Sequence, residues 1–371
     1  MSLAASKRGA RLAFGCYNCQ CKKFEITLDA GNACASARLA AMRAQQNKAR
    51  NGRIEMSKSD PLQNKLVTIL GGSGFVGGYV AQALLERGAR LRIVSRNPSR
   101  AFALKPLANL GQLQIGRCDI TNEEEVRAAV DGADAIINMV GSFDGDLTKL
   151  MGDAAGVVAK AAADGGSSAL VHISAIGADP ESAAVYGRAN ALGEKLVLEA
   201  FPKATIIRPS ALFGKDDNFI NLFAQMIQLA PVLPVFGPDS KLQPAFVDDV
   251  ALAIAEALAN PAKHGGKTYE LGGPEQISMM ELNMRIADAQ HRKRHFLAVP
   301  DAISALFAAL PLTPINSDQW ALLKQGNCTS GDYPGFKELG IKPRPLDAYL
   351  DKWMVRYRQH GRFSKSEAGA A

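Results

Sequence analysis

KLVTILGGSGFVGGYVAQALLERGARLRIVSRN, residues 65 to 97, is the stretch that decides the fold. LVTIL (66 to 70) is a short apolar run that ends on glycines, VAQALLERG (80 to 88) reads as a helix that Gly88 stops, and LRIVS (91 to 95) is a second strand. Strand, glycine turn, helix and strand in this order make a β-α-β unit with parallel strands. Gly71, Ser73, Gly74, Phe75, Val76 and Gly77 form the turn, directly between strand and helix, where a glycine pattern binds a dinucleotide. The first glycine permits the turn, the next lets backbone approach a pyrophosphate, and the third brings helix and sheet close. The helix then offers free N–H groups and a partial positive charge to phosphates.

The alternation continues on the C-terminal side. LQIG (113 to 116), ADAIINMVG (133 to 141), ALVHIS (169 to 174) and ATIIRPS (204 to 210) read as further strands, and Thr121-Asn-Glu-Glu124 reads as a capping box that starts a helix. Six strands separated by helices predict an α/β protein with a doubly wound parallel sheet, its ligand site at the carboxyl ends of the strands. After Pro209 the pattern loosens and prolines cluster in APVLPVFGP (230 to 238). The expected organisation is a nucleotide-binding domain over 56–210, a smaller C-terminal lobe with returning sheet elements over 211–362, and a tail over 363–371. KTYELGG (267 to 273) is assigned to the smaller lobe as a short strand.

Composition narrows the class. The 371 residues are 47% hydrophobic and 21% charged, as in an ordinary globular protein. Residues 1–55 carry ten Lys and Arg against Glu25, Asp29 and Glu55, which accounts for the whole net charge of +7 and leaves a neutral main body. A nucleic-acid partner is therefore not expected. Cys16, Cys19, Cys21 and Cys34 also fall in that segment, but their spacing fits a zinc site poorly, so no metal is expected. The segment reads as a disordered extension, resembling a transit peptide or a translated upstream stretch ahead of Met56. Cys118 and Cys328 alone in the rest fit a reducing compartment. The apolar run AISALFAALPL (302 to 312) is too short to span a bilayer and reads as a buried helix or, more sharply, an interfacial or partner-facing one.

The second strand ends in Ser95-Arg96, with no carboxylate to hold a ribose 2′-hydroxyl, and a guanidinium there matches a 2′-phosphate. NADP(H) is therefore preferred, with NAD(H) the alternative. Asp119, after the third strand, is placed either to accept from an adenine amino group or simply to start a helix.

With GGSGFVG, RCDITN, NMVG (138 to 141), HISAIGAD (172 to 179), YGRANALGE (186 to 194), IIRPSALFG (206 to 214) and FVDDVA (246 to 251) in this order, the chain resembles the short-chain dehydrogenase/reductase superfamily. More closely it is similar to the atypical branch that contains the 39 kDa accessory subunit of respiratory complex I and its bacterial relatives. The likeness runs from about Lys65 to about Arg358. It implies a Rossmann domain carrying NADP(H) as a structural nucleotide, with Ile120, Val140, Gly141 and Pro209 adding to the cofactor-binding set. It also implies complex I subunits as partners and a cytoplasmic location, peripheral on the inner membrane.

The likeness has gaps at the chemistry. Active members pair a tyrosine with a lysine four residues on; here Tyr186 is followed by Asn190, which can reach a ribose but brings no charge. The tyrosine is then expected near its ordinary value of about 10, a poor acid-base at neutral pH. Lys195 falls on the far side of the helix, solvated with Arg188 and Glu194 alongside. Ser174 is followed by Ala175 and Ile176 where a second serine belongs, so it is a weak candidate to orient a carbonyl. Tyr186 reads as a remnant packing on the nicotinamide ribose. His172 reads as a core histidine, QHRKRH (290 to 295) as a solvated basic face with contact to anionic lipid head groups or a partner as the minority reading, and Asp248-Asp249 as helix caps. The expected function is a non-catalytic NADP(H)-binding accessory or assembly subunit of a respiratory NADH:ubiquinone oxidoreductase. The rivals are a reductase or epimerase acting on a small carbonyl or sugar nucleotide, and a redox sensor.

Overall fold

The computed structural model describes residues 60–309 and 316–359. The readings made for residues 1–55, for the end of AISALFAALPL and for the 363–371 tail fall outside them.

The glycine-turn unit forms as read: β1 (Leu66–Leu70), α1 (Phe75–Glu86) and β2 (Arg90–Ser95). β3 (Leu113–Arg117), α2 (Glu123–Val130), β4 (Ala135–Asn138), α3 (Ala154–Asp164), β5 (Ala169–Ile173), α4 (Val185–Ala200) and β6 (Thr205–Pro209) follow. All strands of the central sheet run parallel, in the order β6-β5-β4-β1-β2-β3. β1 and β4 are neighbours although β2 and β3 come between them in the chain, so the chain reverses its direction of winding there and leaves a crevice beyond their carboxyl ends. β4 is buried along its whole length, as a strand covered on both faces must be.

A seventh strand, Thr268–Leu271, adds in parallel to β6. This corrects the assignment of KTYELGG to the smaller lobe. The strand has two buried faces: Tyr269 and Leu271 point into one layer, while Glu270 sits opposite Arg208 and pairs with it. A half-exposed lobe strand could not satisfy both faces. Helix Val247–Ala259 likewise belongs to the central body, buried with α1 in one flanking layer; α2, α3 and α4 make the other.

Asp248 and Asp249 sit in the first turn of that helix without capping it. They bind Arg344, whose Nε and backbone N–H both donate to Asp249, and whose guanidinium lies 4.4 Å from the Phe246 ring centre. The expected caps are thus one half of a clamp on the C-terminal segment. The start of α2 also differs from expectation: Asn122, not Thr121, is the cap, accepting from the N–H groups of Glu124 and Glu125.

The smaller lobe packs helices Phe219–Leu229, Met279–Ala289 and Asp347–Met354 around its own apolar cluster, onto which Phe75, Val76 and Tyr79 of α1 also pack. A parallel ribbon of Val232–Phe236 and His295–Val299 lies at its edge. QHRKRH is only partly a solvated face: Arg292 donates to the Tyr357 carbonyl and Arg294 to that of Ile227 near a helix C-terminus, a favourable place for a cation.

Candidate functional site

The carboxyl ends of β1 to β6 gather most of the residues singled out in the sequence. Gly71 leaves β1 at φ +82°, a conformation that needs glycine, and its N–H donates to the Val94 carbonyl at 3.0 Å. A Cβ there would also meet the Met139 carbonyl oxygen at 2.9 Å, because the ends of β1 and β4 touch. Gly77, in the first turn of α1, lies so close to the loop that a Cβ would come within 2.6 Å of the Gly72 Cα and nearer still to its carbonyl. Gly74 differs. It is the exposed residue that starts α1, and a Cβ on it would meet only the Gly71 oxygen at an ordinary 3.6 Å. The helix end has no side-chain cap and no acid in its first turn, so its N–H groups and dipole remain available to an anion.

At the next strand end the Ser95 hydroxyl is buried and has no hydrogen-bond partner, and Arg96 beside it is exposed. Buried hydroxyls are nearly always paired, so an orphan at the rim of a ligand crevice fits a site built to receive a polar group. Asp119 follows β3. Its Oδ1 accepts from the N–H and hydroxyl of Thr121, which hold its carboxyl below the usual range, with Arg96 and Arg117 adding to the effect. The structure thus gives Asp119 its place at the start of a helix. Ile120 points into the core; the Val140 N–H is held by Asn138, Gly141 is exposed, and Pro209 is buried at the end of β6.

Around Tyr186 the contacts differ from the tyrosine–lysine pair that an active member would present. Asn190, buried, donates its amide to the Tyr186 carbonyl at 2.9 Å, so the group in the lysine position is spent within its own helix. The Tyr186 ring stacks on Phe143, with centres 4.6 Å apart and planes at 16°. Burial pushes its phenol above the ordinary value, and Asn190 only partly opposes this. The expectation of an unperturbed phenol is corrected: desolvation without a cation disfavours the anion further. Asp318, from helix Ser317–Gln325, accepts from the N–H groups of Val185 and Tyr186 and so caps α4 from a distant part of the chain.

Ser174 turns into a buried network. Its hydroxyl donates to Glu194 at 2.5 Å, and Glu194 receives two donors from Arg208, at 2.8 and 2.6 Å. Glu194 is therefore a core ion-pair partner and not a solvated neighbour of Lys195; the latter is exposed, near Glu199. His172 is a core residue as expected, its Nδ1 at 3.2 Å from the Asn138 amide and its ring pushed down to about 4 by desolvation. Sequence reasoning missed Ser95's orphan hydroxyl, Phe143, Asp318 and the Arg208 hub. Of these only Arg208, a charge inside an otherwise apolar strand, carried a local signal.

A doubly wound sheet, an uncapped helix behind a glycine turn and an orphan hydroxyl at the strand ends define a dinucleotide-binding protein. Consistently, residues 71–232 match the family model described as NAD(P)H-binding. The chain is 30% identical to the mitochondrial NADH dehydrogenase (ubiquinone) 1 alpha subcomplex subunit 9 of Arabidopsis thaliana, over 80% of this chain and 79% of that one. It is 32% identical to the protein of the same name from Dictyostelium discoideum, over 79% of this chain and 85% of that one. The chain belongs to this family of alpha subcomplex subunit 9 proteins. Among solved structures, an NADPH-dependent quinone oxidoreductase from Escherichia coli complexed with NADPH superposes with a TM-score of 0.63 at 20% identity, covering 77% of this chain and 99% of that one. That likeness shows the fold alone.

Proposed function

We propose that this chain is a non-catalytic accessory or assembly subunit of a respiratory NADH:ubiquinone oxidoreductase, one that holds NADP(H) in preference to NAD(H) and transfers no hydride of its own. The observation that carries the proposal is the state of Tyr186: no cation stands at position 190, the phenol is pushed up by burial, and its ring is stacked on Phe143. In a reductase the bound dinucleotide would supply a hydride, a proton would have to accompany it, and a phenol pushed up by burial is a poor donor or acceptor at neutral pH. Ser174, spent on Glu194, is poorly placed to orient a carbonyl.

The residues suited to the nucleotide are the N–H groups at the start of α1 and Gly74 for the phosphates, with Ser95 and Arg96 for a 2′-phosphate. A guanidinium with no carboxylate in the sequence around it favours the phosphorylated cofactor. The nucleotide then stabilises the fold by mass action, by about 4 kcal/mol if free ligand stands a thousandfold above its dissociation constant. The relatives, named as subunits of a mitochondrial NADH dehydrogenase (ubiquinone), support assembly with such a complex. We place the chain on the cytoplasmic face of the inner membrane; among the described residues no helix is long and apolar enough to cross it.

The test is isolation from the protein's own solubilised membranes, read by native mass spectrometry. The expected result is complex I subunits together with one retained NADP(H). Reduction of a small carbonyl or quinone by NADPH at more than a trace rate, abolished by Tyr186→Phe, would replace this reading with the reductase one.

A further inference from the structure

The loop that leaves β4 sets an aromatic ring on the side of the crevice away from Arg96. In the sheet β2, β1, β4 and β5 lie side by side. A dinucleotide whose 2′-phosphate meets Arg96 after β2, and whose pyrophosphate meets the start of α1 beyond β1, therefore carries its nicotinamide over the ends of β4 and β5. Two aromatic side chains stand there: Phe143, in the loop after β4, and Tyr186, at the start of α4.

The two rings are not equivalent. Tyr186 packs on Leu147, Met151 and Ala189, and Phe143 covers its remaining face. Phe143 itself is 51% exposed, so one of its faces is spent on the phenol ring and the other is bare. Its loop is held in shape: the Ser142 hydroxyl donates to the Asp144 carbonyl at 2.9 Å and accepts from the Asp144 N–H at 3.0 Å, and Gly145 takes φ +87°. A lone exposed phenylalanine is ordinary on a protein surface. One held flat by a stacked partner beside a nucleotide crevice is a preformed platform for a second flat ring.

We propose that the bare face of Phe143 seats the nicotinamide ring, and that Phe143 thereby stands between that ring and the Tyr186 phenol. The proposal rests on the nucleotide reading above and adds a residue for the nicotinamide half, where that reading names residues only for the phosphates. It also gives the chain a steric separation of nicotinamide from phenol, beside the missing cation at position 190.

Equilibrium binding to the full chain of NADPH and of adenosine 2′,5′-bisphosphate, which carries the 2′-phosphate but no nicotinamide, tests this. Phe143→Ala should weaken NADPH about three- to tenfold and leave the bisphosphate unchanged. An equal effect on both ligands, no effect on either, or tighter NADPH, as for a cover that has to be expelled, overturns the proposal. Phe143→Trp gives a second measurement that needs no loss of binding. Oxidised NADP absorbs nothing in the range of tryptophan emission and quenches only through ring contact. The emission this substitution adds to that of Trp320 and Trp353 should therefore fall on saturation with oxidised NADP and persist with the bisphosphate. Emission that responds alike to both ligands also overturns the proposal. If the parent chain binds both ligands while the variants fail these tests, the Phe143 platform alone is lost; a parent chain that binds neither ligand removes the nucleotide reading itself.

Discussion

Adding one methyl group to Gly77 and, separately, to Gly74 should give opposite results although the two residues are three apart in one loop. At Gly77 the new Cβ would lie within 2.6 Å of the Gly72 Cα and closer to its carbonyl, all of it backbone that cannot rotate away. The start of α1 must retreat from β1 by about an ångström, and an overpacked site of this kind costs roughly 3 kcal/mol or more. Gly77→Ala should therefore melt well below the parent with or without nucleotide. At Gly74 the new Cβ meets only the Gly71 oxygen at 3.6 Å, and the backbone (φ −85°) suits alanine. Without nucleotide, Gly74→Ala should match the parent or gain up to about 1 kcal/mol from a less disordered unfolded chain. It should lose much of the rise in melting temperature that NADPH gives the parent, because the methyl group occupies the approach of the phosphates. Thermal denaturation of both variants, with and without NADPH, reads all four outcomes. A Gly77→Ala protein as stable as the parent, or a Gly74→Ala protein with its full nucleotide response, would refute the geometry argued for this loop.

Other outcomes follow from single contacts. Arg344→Ala leaves Asp249, 2% exposed, as a buried unpaired charge and should cost about 3–5 kcal/mol in a urea melt, with Asp249→Asn added to it recovering part of the loss. His172 is neutral in the fold and pushed down to about 4, while an unfolded histidine takes its proton near 6.5. Stability from this group is thus complete above about 6.5 and is lost as the pH falls toward 4, by about 3 kcal/mol in all; His172→Gln should flatten stability against pH in that window, and an unchanged slope would contradict it. Arg96→Asp should shift preference from NADP(H) toward NAD(H) by about tenfold or more in equilibrium binding, and equal affinities before and after would remove Arg96 from the 2′-phosphate site.

How much of the candidate site was legible depended on distance along the chain. The geometry of the glycine turn was legible because its parts are local: Gly71, Gly74 and Gly77 lie in one turn between β1 and α1, and Arg96 follows the end of the next strand. Around Tyr186 the sequence displayed only the replacement of a lysine by Asn190. The partners that surround it and the neighbouring Arg208 came from afar. Asp318 reaches Tyr186 from 132 positions away, and Glu270 meets Arg208 across a strand pair. Neither contact has a spacing that a sequence can display.

The amino-acid sequence by itself determined the doubly wound architecture, through apolar runs of strand length alternating with helices, and the glycine turn, since both arise from interactions within some twenty residues. Tertiary structure alone decided that TYEL (268 to 271) belongs to the central sheet, that Asp248 and Asp249 hold Arg344, and that Glu194 and Ser174 face inward. The physical reason is that a charged or polar residue reads the same on a solvated helix and in a buried network. Which of the two it occupies depends on partners that only the folded chain brings within a few ångströms.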